Sequence, residues 1–454
     1  MSEVRLTVAE APRLLIVSAD SHAGPHPTEY KAWLDPRYRD GVDDLIRQCD
    51  EFQLIAHKTV HDEQTAEAAD SARRIRDGGL DGLWDPARRL AEMDREGVAG
   101  EIIFPGDPAT LGLYFSNLNR PASPEYRAAG CIAYNRWLAD FCALAPERMV
   151  GIAQTEPWPD MQACVEQIRW AAAAGLGAIG LPRFPGIEPN QPPLSSRAWE
   201  PFWAACVDVA LPVCVHVGHG YGQGEQWEGI RNAEMTRTGY SRRSPTIELQ
   251  PGHHPFIELV ASGVFDRHPE LRATFTELRC EWVAPALARL ERWAEELHCS
   301  ADGRKLKLRP SDYWRRNCAL GASSARPYEI ALRHQIGIEQ MMFGTDYPHP
   351  EGSWPNTREW IQIIFQGVPE EEARLILGEN AARIYAMDVS KLRALADRIG
   401  PAPAEILGAD TKPPEALVAS FDWRAGFLHR PDVFDLPAAE RVSAVAQAAY
   451  RAAS

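Results

Sequence analysis

The amino-acid sequence predicts an α/β fold, a (β/α)8 barrel of the TIM type. Short apolar runs alternate with helical patterns, eight such runs occur, and acidic or imidazole side chains follow several of them. Strands that alternate with helices form parallel sheets, and eight repeats allow the sheet to close on itself. An open doubly wound sheet is the alternative fold. It predicts a Gly-rich phosphate turn, and neither GxGxxG nor GxxxxGK[ST] occurs in the chain.

The eight predicted strands are short runs of apolar or β-branched residues. They cover Leu14–Ser18, Gly100–Phe104, Met149–Gln154, Gly177–Leu181, Pro212–His216, Arg272–Glu277, Asn317–Gly321 and Met341–Thr345. The segments between them have the apolar spacing of helices. The main predicted helices are Pro86–Glu96, Glu125–Cys142, Asp160–Ala174, Trp199–Val209, Pro255–Phe265 and Glu281–Leu297.

Two segments exceed the eight-fold pattern. Residues 38–79, between the first two strands, predict a helical insertion. Residues 389–454 predict a helical C-terminal appendage that packs on the barrel or on a neighbouring subunit. The barrel domain is therefore expected to cover residues 1–388, and a homo-oligomer is expected.

Composition excludes several classes of function. The chain of 454 residues is 45% hydrophobic and 24% charged, with a formal net charge of −15. Such a charge argues against nucleic-acid binding, which needs a basic surface. A membrane span needs about 18 apolar residues in succession, and none is found. Nine scattered cysteines without a CxxC pair are typical of reduced thiols in a cytoplasmic protein.

Four predicted strands end in residues that bind metals. Asp20 and His22 end the first strand, and residues two apart on a strand share a face. His216 ends the fifth strand, Glu277 the sixth, and Asp346 follows the eighth. The active sites of such barrels form at the carboxyl ends of their strands. The sequence therefore predicts a metal centre built from these five residues.

The donor types narrow the choice of metal. Imidazole and carboxylate without thiolate suit iron, zinc or manganese and disfavour a structural zinc site. His57 and His61, four residues apart, share a helix face and are further candidate metal ligands, although a solvated face is the alternative. His254 precedes a predicted helix, and the alternative to a catalytic role is packing at the helix entry.

Lysine is absent between Lys58 and Lys305, a range that includes strands two to six. A carboxylated lysine bridging two metals, or a Schiff base, is thereby excluded from the middle of the barrel. A bridging ligand would have to be a carboxylate, and Glu277 is the best placed. Glutamate bridging with imidazole capping is typical of di-iron sites that use dioxygen.

Four arginines follow the fifth strand on the predicted active-site side. They are Arg231, Arg237, Arg242 and Arg243. A solvated charged loop is one interpretation. The other is a substrate-binding clamp for the phosphates of a coenzyme A thioester.

Four motifs carry a resemblance to a known family. They are VSADSH, CVHVGHG, GVFDRHPELRATFTE and FGTDYPHPEGSWPNTRE, within residues Leu14 to Val389. They resemble the amidohydrolase-related barrel enzymes that include the aromatic-acid decarboxylases. The resemblance implies that Asp20, His22, His216 and Asp346 bind one metal.

The sixth strand departs from that family, because Glu277 stands where its members usually place a catalytic histidine. The TFTE motif resembles a subgroup of nonheme di-iron monooxygenases, typified by the hydroxylase of platensimycin and platencin biosynthesis. This resemblance implies two iron ions, dioxygen, an electron donor and an apolar, coenzyme A-linked substrate of the diterpenoid type. Glu277 and His254 are the expected catalytic residues. The alternative is a mononuclear amidohydrolase or decarboxylase that uses one zinc or manganese ion.

Overall fold

A computed structural model describes residues 12–26, 29–40, 42–43, 69–106, 123–182, 191–217, 253–297, 305–349, 351–408 and 412–425. Its eight parallel strands follow one another in sequence order around a (β/α)8 barrel, so the predicted fold is confirmed. The strands are β1 (Ile16–Ala23), β2 (Val98–Pro105), β3 (Met149–Ala153), β4 (Ala178–Gly180), β5 (Val213–His216), β6 (Ala273–Thr276), β7 (Cys318–Ser323) and β8 (Met341–Gly344).

The barrel closes between its first and last strands. Ser21 and Tyr347 form a parallel bridge, and the His22 amide donates to the Tyr347 carbonyl at 2.7 Å. The Asp346 amide donates to the Asp20 carbonyl at 3.0 Å. The residues that join β1 to β8 are therefore the neighbours of the predicted metal ligands, or the ligands themselves.

Local signals set the helix bounds. Asp85 caps helix Pro86–Glu96 by accepting from the Ala87 and Arg88 amides, and Gly97 ends it in the left-handed conformation. One predicted helix is wrong in its extent. The predicted Pro255–Phe265 is broken at Gly263, which has φ +70°, into two helices.

Helices cover the outside of the barrel. Those of eight residues or more are Pro86–Glu96, Pro124–Cys142, Met161–Ala173, Glu200–Asp208, His253–Ala261, Val283–Leu297, Pro310–Asn317, Thr357–Ile364, Val389–Ile399 and Glu415–Ala425. Shorter α-helices are Tyr30–Trp33, Val264–Arg267, Pro327–Ala331, Arg333–Ile336, Glu370–Arg374, Asn380–Ile384 and Pro403–Ile406. The remaining turns are the 3₁₀-helices Pro36–Tyr38, Gly79–Leu83, Arg197–Trp199 and Ile338–Gln340 and the π-helix Leu375–Glu379. Among the described helices, none is long and apolar enough to span a membrane.

The core has two main parts. One lies between the strands and the outer helices, and the other joins interior strand residues such as Cys214 and Ala319 to Tyr385, Leu392 and Ala396. The start of the predicted appendage thus packs against the barrel. The domain boundary at residue 388 stays a prediction, as does the helical character of the insertion, because residues 44–68 and 426–454 lie outside the described ranges. The seven cysteines in the described ranges are all buried and free.

Candidate metal centre

The structure brings the predicted ligands of four strands together. Asp20 and His22 lie on β1, His216 is the last residue of β5, and Glu277 and Asp346 follow β6 and β8. Their donor atoms form two overlapping groups, in each of which all donors lie within 4.8 Å of one another. The groups are Asp20, His22, His216 and Glu277, and His22, Glu277, Asp346 and His349.

The distances within this cluster suit a shared cation. Asp20 Oδ1 lies 3.6 Å from His22 Nε2 and 3.4 Å from His216 Nε2. Asp346 Oδ1 lies 3.2 Å from His22 Nε2, and Glu277 Oε2 lies 3.5 Å from His216 Nε2. Ligand atoms about 2.1 Å from one tetrahedral ion are roughly 3.4 Å apart. The spacing of the donors therefore fits a bound metal ion.

Backbone carbonyls orient the two imidazoles of the predicted ligand set. His22 Nδ1 lies 3.0 Å from the Pro105 carbonyl, and His216 Nδ1 lies 3.3 Å from the Val217 carbonyl. A carbonyl only accepts, so these contacts place the ring proton on Nδ1. Each Nε2 then presents its lone pair to the cluster, which is the arrangement that metal-binding histidines use.

Two serines at the end of β7 orient the aspartates. Ser323 Oγ donates to Asp20 Oδ2, and Ser324 Oγ donates to Asp346 Oδ2 at 3.4 Å. The other donors are left for a cation. Among the described residues, the buried Asp20 Oδ1 has no hydrogen-bond partner. The buried His22 Nε2 and Asp346 Oδ1 approach only other members of the two donor groups in that part of the chain. Buried polar atoms without partners are costly, so this donor set fits a metal ion.

The backbone is strained where three strands end. Glu277, Ser324 and Asp346 have φ angles of +57°, +50° and +57°, in the left-handed region that disfavours residues with a side chain. Each such residue costs on the order of 1–3 kcal/mol and persists only where the surrounding structure holds it. Here the strained residues include two of the cluster's carboxylates and the serine that contacts one of them.

Charge coupling keeps Asp346 ionised. Burial alone would raise the pKa of its carboxyl group, but the neighbouring imidazoles of His349 and His22 lower it well below the usual range. Asp346 in turn raises the pKa of the His349 imidazole above its usual value, although burial opposes this. Asp346 therefore carries the negative charge that a metal ligand requires.

His349 was missed as a site residue. Its ring stacks on His22 with centroids 4.0 Å apart, and its Nδ1 lies 2.9 Å from Asp346 Oδ1. Phe104, also missed, contacts the His216 ring at 4.4 Å between centroids. The only signals were a histidine three residues after Asp346 and an aromatic residue at the end of a predicted strand.

Of the other predicted site residues, only His254 lies within the described ranges, and it is not in the cluster. His254 has a side chain that is 67% exposed, and its Nε2 lies 3.7 Å from Glu258 Oε1 on the next helical turn. It belongs to neither donor group. The predicted ligands His57 and His61 lie outside the described residues, as do the predicted substrate-binding residues Arg231, Arg237, Arg242 and Arg243.

Replacement of Ser323 tests the orientation of Asp20. In Ser323→Ala the Asp20 carboxylate loses its donor and gains freedom to rotate, so we expect metal affinity to fall by about 10–100-fold. Titration of the metal-free protein with Mn²⁺ measures this change. Ser262→Ala is the control, because Ser262 Oγ is also buried and, among the described residues, donates to no carboxylate of the cluster. Equal affinities in the two variants would contradict a role for Ser323.

Several known proteins similar to this chain are decarboxylases. The gamma-resorcylate decarboxylase of Rhodococcus jostii strain RHA1 is 27% identical over 314 residues, which cover 66% of this chain and 87% of that protein. The solved 5-carboxyvanillate decarboxylase of Sphingomonas paucimobilis has a TM-score of 0.55 and 19% identity, and the match covers 83% of this chain and all of that one. The corresponding enzyme of Novosphingobium aromaticivorans, solved with bound manganese and a nitrobenzoic acid, has a TM-score of 0.56 and 17% identity over 82% of this chain and 97% of that one.

These comparisons correct the predicted activity. The proteins named above are decarboxylases, so the prediction of a nonheme di-iron monooxygenase is wrong. Nothing in them supports the predicted pair of irons, the coenzyme A-linked substrate, dioxygen or an electron donor. The prediction failed because a single glutamate after the sixth strand, Glu277, is compatible with one metal ion as well as with two irons. The two donor groups share His22 and Glu277 and form one compact cluster.

The family itself follows from a match to most of the chain. Residues 22–387 match the family model for amidohydrolases, and this range extends from the first predicted histidine ligand to beyond β8. The four motifs of the sequence lie within or at the edge of the matched range. The chain therefore belongs to the amidohydrolase family of enzymes, and its cluster of imidazoles and carboxylates lies at the carboxyl ends of the barrel strands.

Proposed function

We propose that this protein is a metal-dependent decarboxylase of a hydroxy-substituted aromatic carboxylic acid. The observation that carries the proposal is a buried cluster of two imidazoles and two aspartates with a further carboxyl group, Glu277, beside it. The similarity to gamma-resorcylate decarboxylase supports this reaction and substrate class.

Four residues would hold the metal: Asp20, His22, His216 and Asp346. They combine imidazole with carboxylate and offer no thiolate, a set that suits manganese or zinc. A divalent cation bound there supplies the positive charge that anchors and polarises the substrate carboxylate. Manganese is the first choice, because it is bound in the related 5-carboxyvanillate decarboxylase.

Glu277 is the residue that we assign to proton transfer. Decarboxylation breaks the bond between the ring and the carboxylate and releases CO2, and the electron pair left on the ring carbon takes a proton. Glu277 is only 8% exposed, and its Oε2 lies 3.5 Å from His216 Nε2. A buried carboxyl group beside the bound acid can deliver a proton without admitting bulk water. His349 is a second candidate for holding a proton, because Asp346 raises its pKa.

A carbon dioxide release assay tests the proposal. We expect the protein loaded with Mn²⁺ to release CO2 from 2,6-dihydroxybenzoate or 5-carboxyvanillate, the acids named for the similar decarboxylases, equally well with and without dioxygen. In D2O the product should carry one deuterium at the vacated ring position. The metal-free protein is the control. Activity on amides or esters but not on aromatic acids would contradict decarboxylation and indicate hydrolysis.

A further inference from the structure

A buried ion pair lies directly behind the first metal-binding strand. Arg89, on helix Pro86–Glu96, is fully buried, and Glu101, in β2, is 3% exposed. Arg89 Nε donates to Glu101 Oε2 at 2.7 Å, and Arg89 Nη2 lies 2.6 Å from the same oxygen. Neither side chain is a member of the two donor groups.

The pair contacts the chain on both sides of the peptide that joins Ser21 to His22. Arg89 Nη1 donates to the His22 carbonyl at 2.7 Å, and the Ser21 hydroxyl proton is shared between Glu101 Oε2 at 3.1 Å and the Ile102 carbonyl at 2.9 Å. Ser21 and His22 follow Asp20 directly, and Asp20 and His22 are two of the proposed ligands. The ion pair therefore fixes the backbone that presents both of them.

The Arg89 guanidinium also contacts a residue that follows β8. It lies over the Tyr347 ring at 4.3 Å, a cation–π contact. Tyr347 follows the ligand Asp346, and its carbonyl accepts from the His22 amide at 2.7 Å. Arg89 thus contacts the proposed ligand His22 on β1 and Tyr347, which follows the proposed ligand Asp346 after β8.

A buried ion pair contributes little net stability to the fold. The cost of removing both charges from water often exceeds their attraction. Apolar residues of similar size in the same place often give a protein that is equally stable or more stable. What a guanidinium adds is direction, because its planar set of donors holds several acceptors in fixed positions. Here those acceptors are Glu101 and the His22 carbonyl.

We propose that Arg89 and Glu101 are positioning residues that set the affinity of the metal centre by fixing the Ser21–His22 backbone. The proposal rests on the metal site of the proposed function and is independent of the reaction catalysed there. Without the pair, the His22 carbonyl loses its guanidinium donor, and among the described residues only the His22 amide bond to Tyr347 and the β1–β2 pairing hold this peptide. Small shifts of the peptide then move His22 Nε2 and Asp20 Oδ1 away from a common point. Groups that orient metal ligands typically contribute about 10–100-fold to metal affinity.

Three variants test the proposal in the full-length protein. Glu101→Gln removes the charge but keeps the shape, and Arg89→Lys keeps the charge but loses the fixed set of donors. Ser21→Ala removes one hydroxyl only. Titration of the metal-free proteins with Mn²⁺, followed by the electron paramagnetic resonance of free Mn²⁺, gives the dissociation constants. We expect about 10–100-fold weaker binding in the first two variants and a smaller loss in Ser21→Ala.

Glu96→Gln is the matched control. Glu96 is buried on the same helix and pairs with Arg74, and its carboxylate accepts from the Thr357 amide at 2.8 Å, outside the β1 ligand segment. It should lower stability without weakening Mn²⁺ binding. At saturating Mn²⁺, the resonance spectrum of the bound ion should change in Arg89→Lys and stay unchanged in Glu96→Gln.

The outcomes separate two failures. Wild-type protein that binds no Mn²⁺, Zn²⁺ or Fe²⁺ would overturn the metal site itself. If Arg89→Lys and Ser21→Ala bind Mn²⁺ as tightly as the wild type and give the same spectra, the positioning role is overturned and the metal site is not. If Glu101→Gln does not fold, those two milder variants decide the question.

Discussion

Asp346→Asn is expected to lose its metal and, with it, its activity. Asp346 is fully buried, and its Oδ1 lies 3.2 Å from His22 Nε2. The pKa of the carboxyl group is held well below its usual range, so the native site contains a permanent anion, which asparagine removes while keeping the shape. Metal affinity should fall by more than the roughly 100-fold that the loss of a ligand-orienting group costs. Mass spectrometry of bound metal and Mn²⁺ titration measure the loss.

Asparagine is the informative replacement at this position for a conformational reason. Asp346 has φ +57°, and asparagine tolerates the left-handed region better than most residues with a side chain. Asp346→Ala would combine loss of the ligand with a backbone cost of about 1–2 kcal/mol. A folded Asp346→Asn variant with wild-type Mn²⁺ affinity would show that Asp346 is not a ligand. Asp81→Asn, on the exposed part of helix Gly79–Leu83, controls for the change of charge.

Glu277→Gln is expected to bind metal and yet to catalyse poorly. Glutamine keeps the shape of the side chain and loses the proton that we assign to it, so decarboxylation at saturating Mn²⁺ should fall by about 10²–10⁴-fold. The dissociation constant for Mn²⁺ should change much less. Turnover and metal titration on the same preparation distinguish these two effects.

The alternative for Glu277 is that it binds the metal as well. A Glu277→Gln variant that loses affinity and activity in equal proportion would mean that Glu277 is a ligand, and the proton would have to come from another group. Glu281→Gln is the matched control, since Glu281 accepts from the Tyr328 hydroxyl at 3.2 Å in the same loop and belongs to neither donor group. It should leave turnover unchanged.

The barrel was predictable because each strand is a short buried run with its own boundaries. The predicted Met149–Gln154 and Pro212–His216 differ from the observed strands by a single residue at one end. The ligand cluster was predictable for a related reason. Strand ends of a barrel converge, so a carboxylate or imidazole at several ends predicts one site without knowledge of any loop.

The remaining site residues depend on contacts between distant parts of the chain. Arg89 and Glu101 read in the sequence as an ordinary helix residue and a polar interruption of a strand, and only the fold places their charges behind His22. His349 follows a proline turn whose course no local pattern specifies. The chemistry was less predictable still. The same Glu277 fits both a bridging ligand and a proton donor, and the residue type alone led to the wrong reaction.

The closure of the barrel between Ser21 and Tyr347 has a consequence for biosynthesis. Two proposed ligands come from the first strand and one from the last, so more than 320 residues of synthesis separate Asp20 from Asp346. A nascent chain cannot assemble the site until its eighth strand has left the ribosome. Metal loading therefore cannot precede synthesis of the eighth strand. By binding only the closed form, the ion would stabilise the joined ends of the barrel by an amount that rises with the logarithm of its free concentration above the dissociation constant.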